Sequence, residues 1–355
     1  LAVGTVLVVY FLARDVTGDR RMALASAFVL AVLPVHVLRT ALGFVDHHAF
    51  DFFWPVVTAW GLVRTLEIDA LELDSELIVA VGLLGVGVAG SVLAWWAGTL
   101  LLVPTALAVT VSGALAVRDE RSFFSPGLAT AAGVGLGATL VGITHITWGW
   151  HDPLIVGVPI ALTLGVLAVV AATSLWRRLS LPAWSFPVTG VGLLVLARGL
   201  VTRVAPEEWD RIVRRLSQLF AQRKIGEVQS IFDADTMGWL FSFGLVFFVI
   251  LPAMAWGLPR AYRGGRRWVV AGSYAWYVLF LAGVQSRFAG EFAPFAALFG
   301  GIAVVVVAEK VDAARPGVPF GGEDRPLSVP DRGVVFRVLA VVILICGLSA
   351  VLAPI

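Results

Sequence analysis

The sequence predicts an all-α integral membrane protein, and three observations carry that prediction. Apolar residues make up 59% of the 355 positions and charged residues only 14%, against roughly 25% charge in a soluble domain. Mean hydropathy is +0.91, and a water-soluble globule of this length has too little interior to hide so much apolar side chain. The apolar residues also run continuously over lengths suited to a bilayer-crossing helix, about 20 residues. They lack the alternation of a membrane barrel strand.

Apolar runs broken by charge or by Gly and Pro give about twelve spans, near 1–13, 22–38, 49–65, 77–92, 94–117, 126–144, 154–174, 183–203, 236–257, 268–284, 286–308 and 334–353. The stretch 77–117 admits a different cut. Alternate loops are basic: "ARDVTGDRR", "VRDERS", "WRRLS", "PRAYRGGRRW" and the longer 309–333 loop hold most of the Arg. The other set carries little beyond Arg39, Arg198 and Arg287. Positive charge favours the cytoplasmic side, so the basic set is expected inside a cell membrane crossed many times. The acidic "RTLEIDALELDSE" loop does not reverse this, because acids contribute little to orientation. All five histidines, His36, His47, His48, His145 and His151, then fall at extracytoplasmic span ends.

The long 204–235 loop is also placed outside. In "PEEWDRIVRRLSQLFAQ" the residues Trp209, Ile212, Val213, Leu216, Leu219 and Phe220 recur at helical spacing, with Pro206 suited to the first turn. An amphipathic helix lying on the headgroups is expected there. The polar segment "RKIGEVQSIFDADT" follows it.

Composition excludes other partners. The net charge of +2 comes from 24 Arg and 2 Lys against 24 acids, with no basic block interleaved with aromatics, so no nucleic acid is expected. The single cysteine, Cys346, can form no intrachain disulfide.

The chemistry concentrates in "RTALGFVDHHAF", residues 39–50. Asp46 and His48 are one residue apart, so in an extended loop their side chains point the same way, as two ligands of one metal must. His47 points the other way. A carboxylate with one imidazole suits Mn2+ or Mg2+ better than a structural zinc. The other reading pairs Asp46 with Arg39 and leaves the histidines at headgroup level. Asp51 begins the next span and stands in reserve as a ligand. His145 and His151–Asp152 in "THITWGWHDP" form a weaker rival whose aromatic surroundings fit an interfacial belt. The soluble phosphoesterases that also bear Asp-His-His need further motifs on an α/β fold, which this chain lacks.

The "RTALGFVDHH" segment at an outward span end resembles the second acidic motif of the archaeal oligosaccharyltransferase catalytic subunit, AglB type. These are membrane glycosyltransferases of the GT-C fold. The resemblance covers nearly the whole chain: about twelve spans, an outer loop with Asp-His-His after the second, and a long outer loop between the eighth and ninth. It implies that Asp46 and His48 are ligands of a divalent metal, and that Asp46 and Glu227 are catalytic. Glu227 of "KIGE" resembles the Glu of the family's Thr-Ile-Xaa-Glu motif, which contacts metal and acceptor; Lys224 replaces the usual Thr. Arg287 of "QSRFAGEF" resembles the Arg that binds the lipid-linked phosphate.

The reaction so implied moves an oligosaccharide from a dolichyl phosphate or diphosphate carrier to Asn in an Asn-Xaa-Ser/Thr sequon of an acceptor protein. The family's first outer loop, with its own Asp, and its "WWDYG" segment with a soluble C-terminal domain are not found in the sequence. The chain is therefore expected to be an incomplete GT-C transmembrane domain over 1–355, without the first span, and inactive by itself. The alternatives are another lipid-carrier GT-C glycosyltransferase and a polytopic transporter. The first usually places its acidic motif one outer loop earlier; the second tends toward midplane charges and inverted repeats, which are not seen here.

Overall fold

In a computed structural model the described residues are 1–41, 48–149, 153–220, 229–233 and 238–313, and all their regular elements are helical. Helix α1 (Ala2–Thr17) stops at Gly18, whose φ of 70° returns its N–H to the Arg14 carbonyl, a C-terminal turn glycine adopts without strain. Asp19 caps α2 (Arg20–Val32) by accepting from the Arg21 amide. Leu33 is extended and Pro34 opens α3 (Pro34–Thr40), whose axis turns 58° from that of α2. Proline lacks the N–H that would continue the helix but suits its first turn, so the break falls there.

Helix α4 (His48–Leu66) then crosses to the opposite end of the bundle. Asp74 caps α5 (Ser75–Ala94), accepting from the Leu77 amide at 2.9 Å. Trp95 is extended, and a 3₁₀ turn at Trp96–Leu102 leads into α6 (Val103–Arg118). The long helices α7 (Phe124–Trp148), α8 (Pro153–Arg178) and α9 (Ser185–Val204) follow. The amphipathic pattern forms α10 (Pro206–Phe220), and the Arg198 guanidinium lies 5.6 Å from the Trp209 ring centre. Next come α11 (Gly238–Phe243), α12 (Phe247–Tyr262), α13 (Arg266–Val284), a 3₁₀ turn at Ser286–Phe288 and α14 (Ala289–Ala313).

The protein is a multi-pass membrane protein. Among the described residues eight helical stretches are long and apolar enough to cross a bilayer, α6 and α12 counting together with the short helical segments that lead into them (Ala97–Arg118 and Gly238–Tyr262), and the bent α2–α3 pair makes a ninth. That is fewer than the twelve spans read from the sequence. Helix α1 has 16 residues, α4 carries Asp51 and Arg64 near its ends, and the span placed at 334–353 lies outside the described residues.

Helix α14 is the centre of the bundle: 89% of its apolar window is buried, against 6% for α9 at the edge. Small residues bring the neighbours close. Gly301 faces Ser26 of α2, whose hydroxyl donates to the Leu298 carbonyl at 3.1 Å. Close approach of this kind supplies dispersion contacts where lipid offers no hydrophobic driving force between helices. Inside the bundle Thr105 and Tyr274 share a hydrogen bond of 2.7 Å.

Candidate active site

Ionisable residues gather at the end of the bundle where α3 stops and α4 and α14 begin. His36, Asp51, Gln285 and Glu291 are all at most 3% exposed there. Asp51 and Glu291 each occupy the first turn of their helix, where the helix dipole favours a carboxylate. The two turns touch directly, because Gly290 leaves no room for a side chain beside the Phe52 ring.

Two arginines complete the cluster. Arg39, in the last turn of α3, donates from Nη1 to the Arg287 carbonyl at 3.1 Å and so ties α3 to the turn before α14. The Arg287 guanidinium lies 4.3 Å from the Trp95 ring centre and 5.2 Å from that of Phe288, a stacking suited to its flat, weakly hydrated head. Asp51, Arg39 and Arg287 are the charges that act on the Glu291 carboxyl. Two acids and two arginines thus balance in a setting where an isolated charge is costly. The Glu291 Oε2 atom is buried and accepts no hydrogen bond among the described residues.

A third segment reaches the same turn. The Ser286 amide donates to the Gln229 carbonyl at 2.6 Å, and the Ile231 amide donates to the Ala282 carbonyl at 3.3 Å. Ile231 is fully buried, so the chain just after "KIGE" is anchored against the end of α13.

Of the residues singled out in the sequence, Arg39, Asp51 and Arg287 are brought together. Asp46, His47 and Glu227 lie outside the described residues, as does the side chain of His48. His145 is buried near the end of α7, while His151 and Asp152 also lie outside. Among the described residues no group of three or more His, Cys, Asp or Glu is placed to hold a metal. Sequence reasoning missed Glu291. The signal was available: a carboxylate four residues after Arg287, inside an otherwise apolar span, is rarely incidental in a membrane.

Known proteins agree with this architecture. Residues 1–163 match the family described as oligosaccharyl transferase STT3, N-terminal. A dolichyl-phosphooligosaccharide-protein glycotransferase of Archaeoglobus fulgidus is 25% identical over 354 residues, covering 87% of this chain. The N-terminal part of this chain, residues 1–163, thus resembles the oligosaccharyl transferase family. Solved structures of the Archaeoglobus fulgidus oligosaccharyltransferase share the fold of this chain. The apo form gives a TM-score of 0.79 at 19% identity over 98% of this chain and 43% of that one. A complex with an inhibitory peptide and a dolichol-phosphate gives 0.76 at 19% identity, over 98% and 42%. Further structures of that protein hold an acceptor peptide with the NVT sequon, and Zn with sulfate. The chain spans 38% of the length of the curated relative.

Proposed function

We propose that this domain is the membrane part of a metal-dependent oligosaccharyltransferase. It would move a glycan from a dolichyl phosphate or diphosphate carrier to Asn of an Asn-Xaa-Ser/Thr acceptor, at the extracytoplasmic face of the cell membrane. One observation carries the reading. Arg39 is bonded to the Arg287 carbonyl, and Gln229, two residues after Glu227, is bonded to Ser286. The flanks of three sequence-distant motifs therefore meet at a single turn.

In this reading Arg287 takes the carrier phosphate. Its planar guanidinium, supported on Trp95, offers paired donors to phosphate oxygens. Arg39 holds the Arg287 backbone and adds positive charge for the anion that accumulates on the leaving group. Glu227 accepts hydrogen bonds from the acceptor amide N–H groups, which weakens delocalisation of the nitrogen lone pair. Asp46, His48 and Glu227 form the donor set, two carboxylates and an imidazole, and this oxygen-rich chemistry fits a divalent ion. Mn2+ or Mg2+ bound there supplies Lewis acidity toward the departing phosphate. Asp51 stands in reserve as a further ligand, and His47 is set outside the donor set. The span count of about twelve belongs to the same reading, with α1, α4 and 334–353 added to the nine stretches above. So does the assignment of 204–235 as an outer loop whose amphipathic helix lies on the headgroups.

The test uses the complete protein. Asp46→Ala and Glu227→Ala are each expected to abolish glycan transfer to a sequon peptide while membrane insertion and thermal stability stay near wild type. Full activity in either variant overturns the assignment.

A further inference from the structure

A cleft lies at the other end of the bundle. Helices α4 and α13 each run 19 residues from one end to the other, about 28 Å at the α-helical rise. The cleft, about 570 Å³, is comparable to ordinary small-molecule sites, roughly 300–1,000 Å³. It opens among the loops that join α1 to α2, α4 to α5, α6 to α7 and α12 to α13, which carry much of the chain's arginine.

Its walls separate structural charge from available charge. Arg266 is committed to the fold, donating to the Leu66 carbonyl at 2.9 Å and the Ser122 carbonyl at 3.4 Å. Arg267 is committed as well, to the Asp15 carbonyl at 3.0 Å and to Glu67 at 2.7 Å. Arg121 is exposed, and its guanidinium makes no hydrogen bond or ion pair among the described residues. The Asp119 carboxylate also lies beside Arg121 but is ion-paired with Arg118 at 2.7 Å. With Glu67 paired to Arg267, Asp69 is the remaining acid among the lining residues against Arg121 and Arg266, so that lining carries one net positive charge.

Two helix starts add oriented donors. Helices α7 and α13 both begin at this cleft without an acid in the first turn. In α7 the Phe124 amide already donates to the Ser122 hydroxyl at 3.3 Å and Pro126 has no N–H, so among the described residues Ser125 supplies the one free amide there, beside those of Arg266 and Arg267 in α13. Such ends present N–H groups and partial positive charge to an anion. The Ser125 hydroxyl also faces no partner among the described residues. Gly264, with φ of 88°, leaves room at the floor for the Asp119 and Arg121 side chains, whose Oδ2 and Nη1 would lie 2.9 and 3.7 Å from a Cβ there. The depth is that of a membrane interface: Trp268 lines the cleft, and the Arg260 guanidinium stacks on Trp256 at 3.1 Å and lies 5.4 Å from the Trp268 ring centre, as tryptophans and arginines do at the headgroup level.

We propose that this cleft binds a phosphate group, carried by an anionic lipid headgroup or by a free phosphate ion, through Arg121, the Ser125 hydroxyl and amide, and the Arg266 and Arg267 amides that open α13. It is separate from the site assigned above and independent of the glycan-transfer reading.

The purified chain in neutral detergent, titrated calorimetrically with short-chain phosphatidylglycerol, phosphatidylcholine and inorganic phosphate, tests it. Phosphatidylglycerol or inorganic phosphate is expected to bind, and Arg121→Glu to weaken that binding by about tenfold or more, the scale of one charge-assisted contact. Ser125→Asp, which puts an acid into the first turn of α7, is expected to do the same and serves if Arg121→Glu folds poorly. Arg178→Glu, an equal charge change on an exposed residue at the end of α8, is expected to leave binding at the wild-type level. Stronger binding of phosphatidylglycerol than of inorganic phosphate assigns the site to lipid; comparable binding assigns it to the free ion. Absence of binding in every arm, equal binding of phosphatidylcholine, or retention of wild-type affinity in Arg121→Glu and Ser125→Asp overturns the proposal.

Discussion

Replacing Gly87 by Ala is expected to loosen the packing of α5 on α4, and the size of the effect follows from the geometry. A Cβ at this position would lie 2.6 Å from the Thr58 amide nitrogen and 2.8 Å from the Thr58 Cα. Both are backbone atoms, so no rotamer change relieves the contact. Ordinary contact begins near 3.4 Å, so the helices must part locally by about 0.8 Å. Such overpacking costs about 1–3 kcal/mol. Thr58 also shares a 3.2 Å hydrogen bond with Ser91, which the same displacement strains. Against this, alanine removes glycine's penalty inside a helix, about 0.5–1 kcal/mol. The net expectation from these two terms is a loss of about 0–2.5 kcal/mol, centred near 1 kcal/mol. Gly82, on the same helix, has nothing within 4 Å of its would-be Cβ, so Gly82→Ala is expected to stabilise by about 0.5–1 kcal/mol. One substitution type on one helix thus has opposite signs at two positions. Tryptophan fluorescence during thermal unfolding in mild detergent reads the difference. If Gly87→Ala melts at or above Gly82→Ala, the close approach of α4 and α5 is wrong.

Tyr274→Phe strands the buried Thr105 hydroxyl and is expected to cost about 1–3 kcal/mol, part of which the double change Tyr274→Phe with Thr105→Val recovers in an unfolding cycle. Arg39→Met removes the donor to the Arg287 carbonyl and is expected to cut kcat/KM for the lipid carrier by about tenfold or more in the complete enzyme, the scale of a bond from a charged donor; unchanged kinetics would remove Arg39 from the site. Asp19→Ala removes the α2 cap and is expected to cost about 1 kcal/mol near pH 7. The hydrogen bond from the Arg21 side chain holds the Asp19 carboxyl below its ordinary value of 3.8, so its contribution is present above that value and is lost as pH falls through the lower folded one. Melting temperatures of the two proteins, measured against pH, should therefore converge in strong acid and stay apart above about pH 5, where both forms of the carboxyl are ionised.

The contrast between "RTALGFVDHHAF" and Glu291 separates what is local from what is not. The sequence by itself determined the membrane setting, the helices and most of their limits. Continuous apolar runs, Pro34 and the capping Asp19 and Asp74 act over a few residues, and in lipid each backbone group must be satisfied within its own helix. It also marked Arg39, Asp51 and Arg287 as out of place in apolar surroundings, and the motif resemblance pointed to the family. Only the tertiary structure decided that these three meet Glu291 at one turn, that Gln229 is bonded beside them, and that α14 is the buried centre while α9 lies at the rim. Every span here is apolar enough for lipid, so hydropathy does not distinguish a helix buried by protein from one facing the bilayer. That distinction rests on close steric fit, such as Gly301 against Ser26 and Gly87 against Thr58, which depends on pairs of residues far apart in the chain.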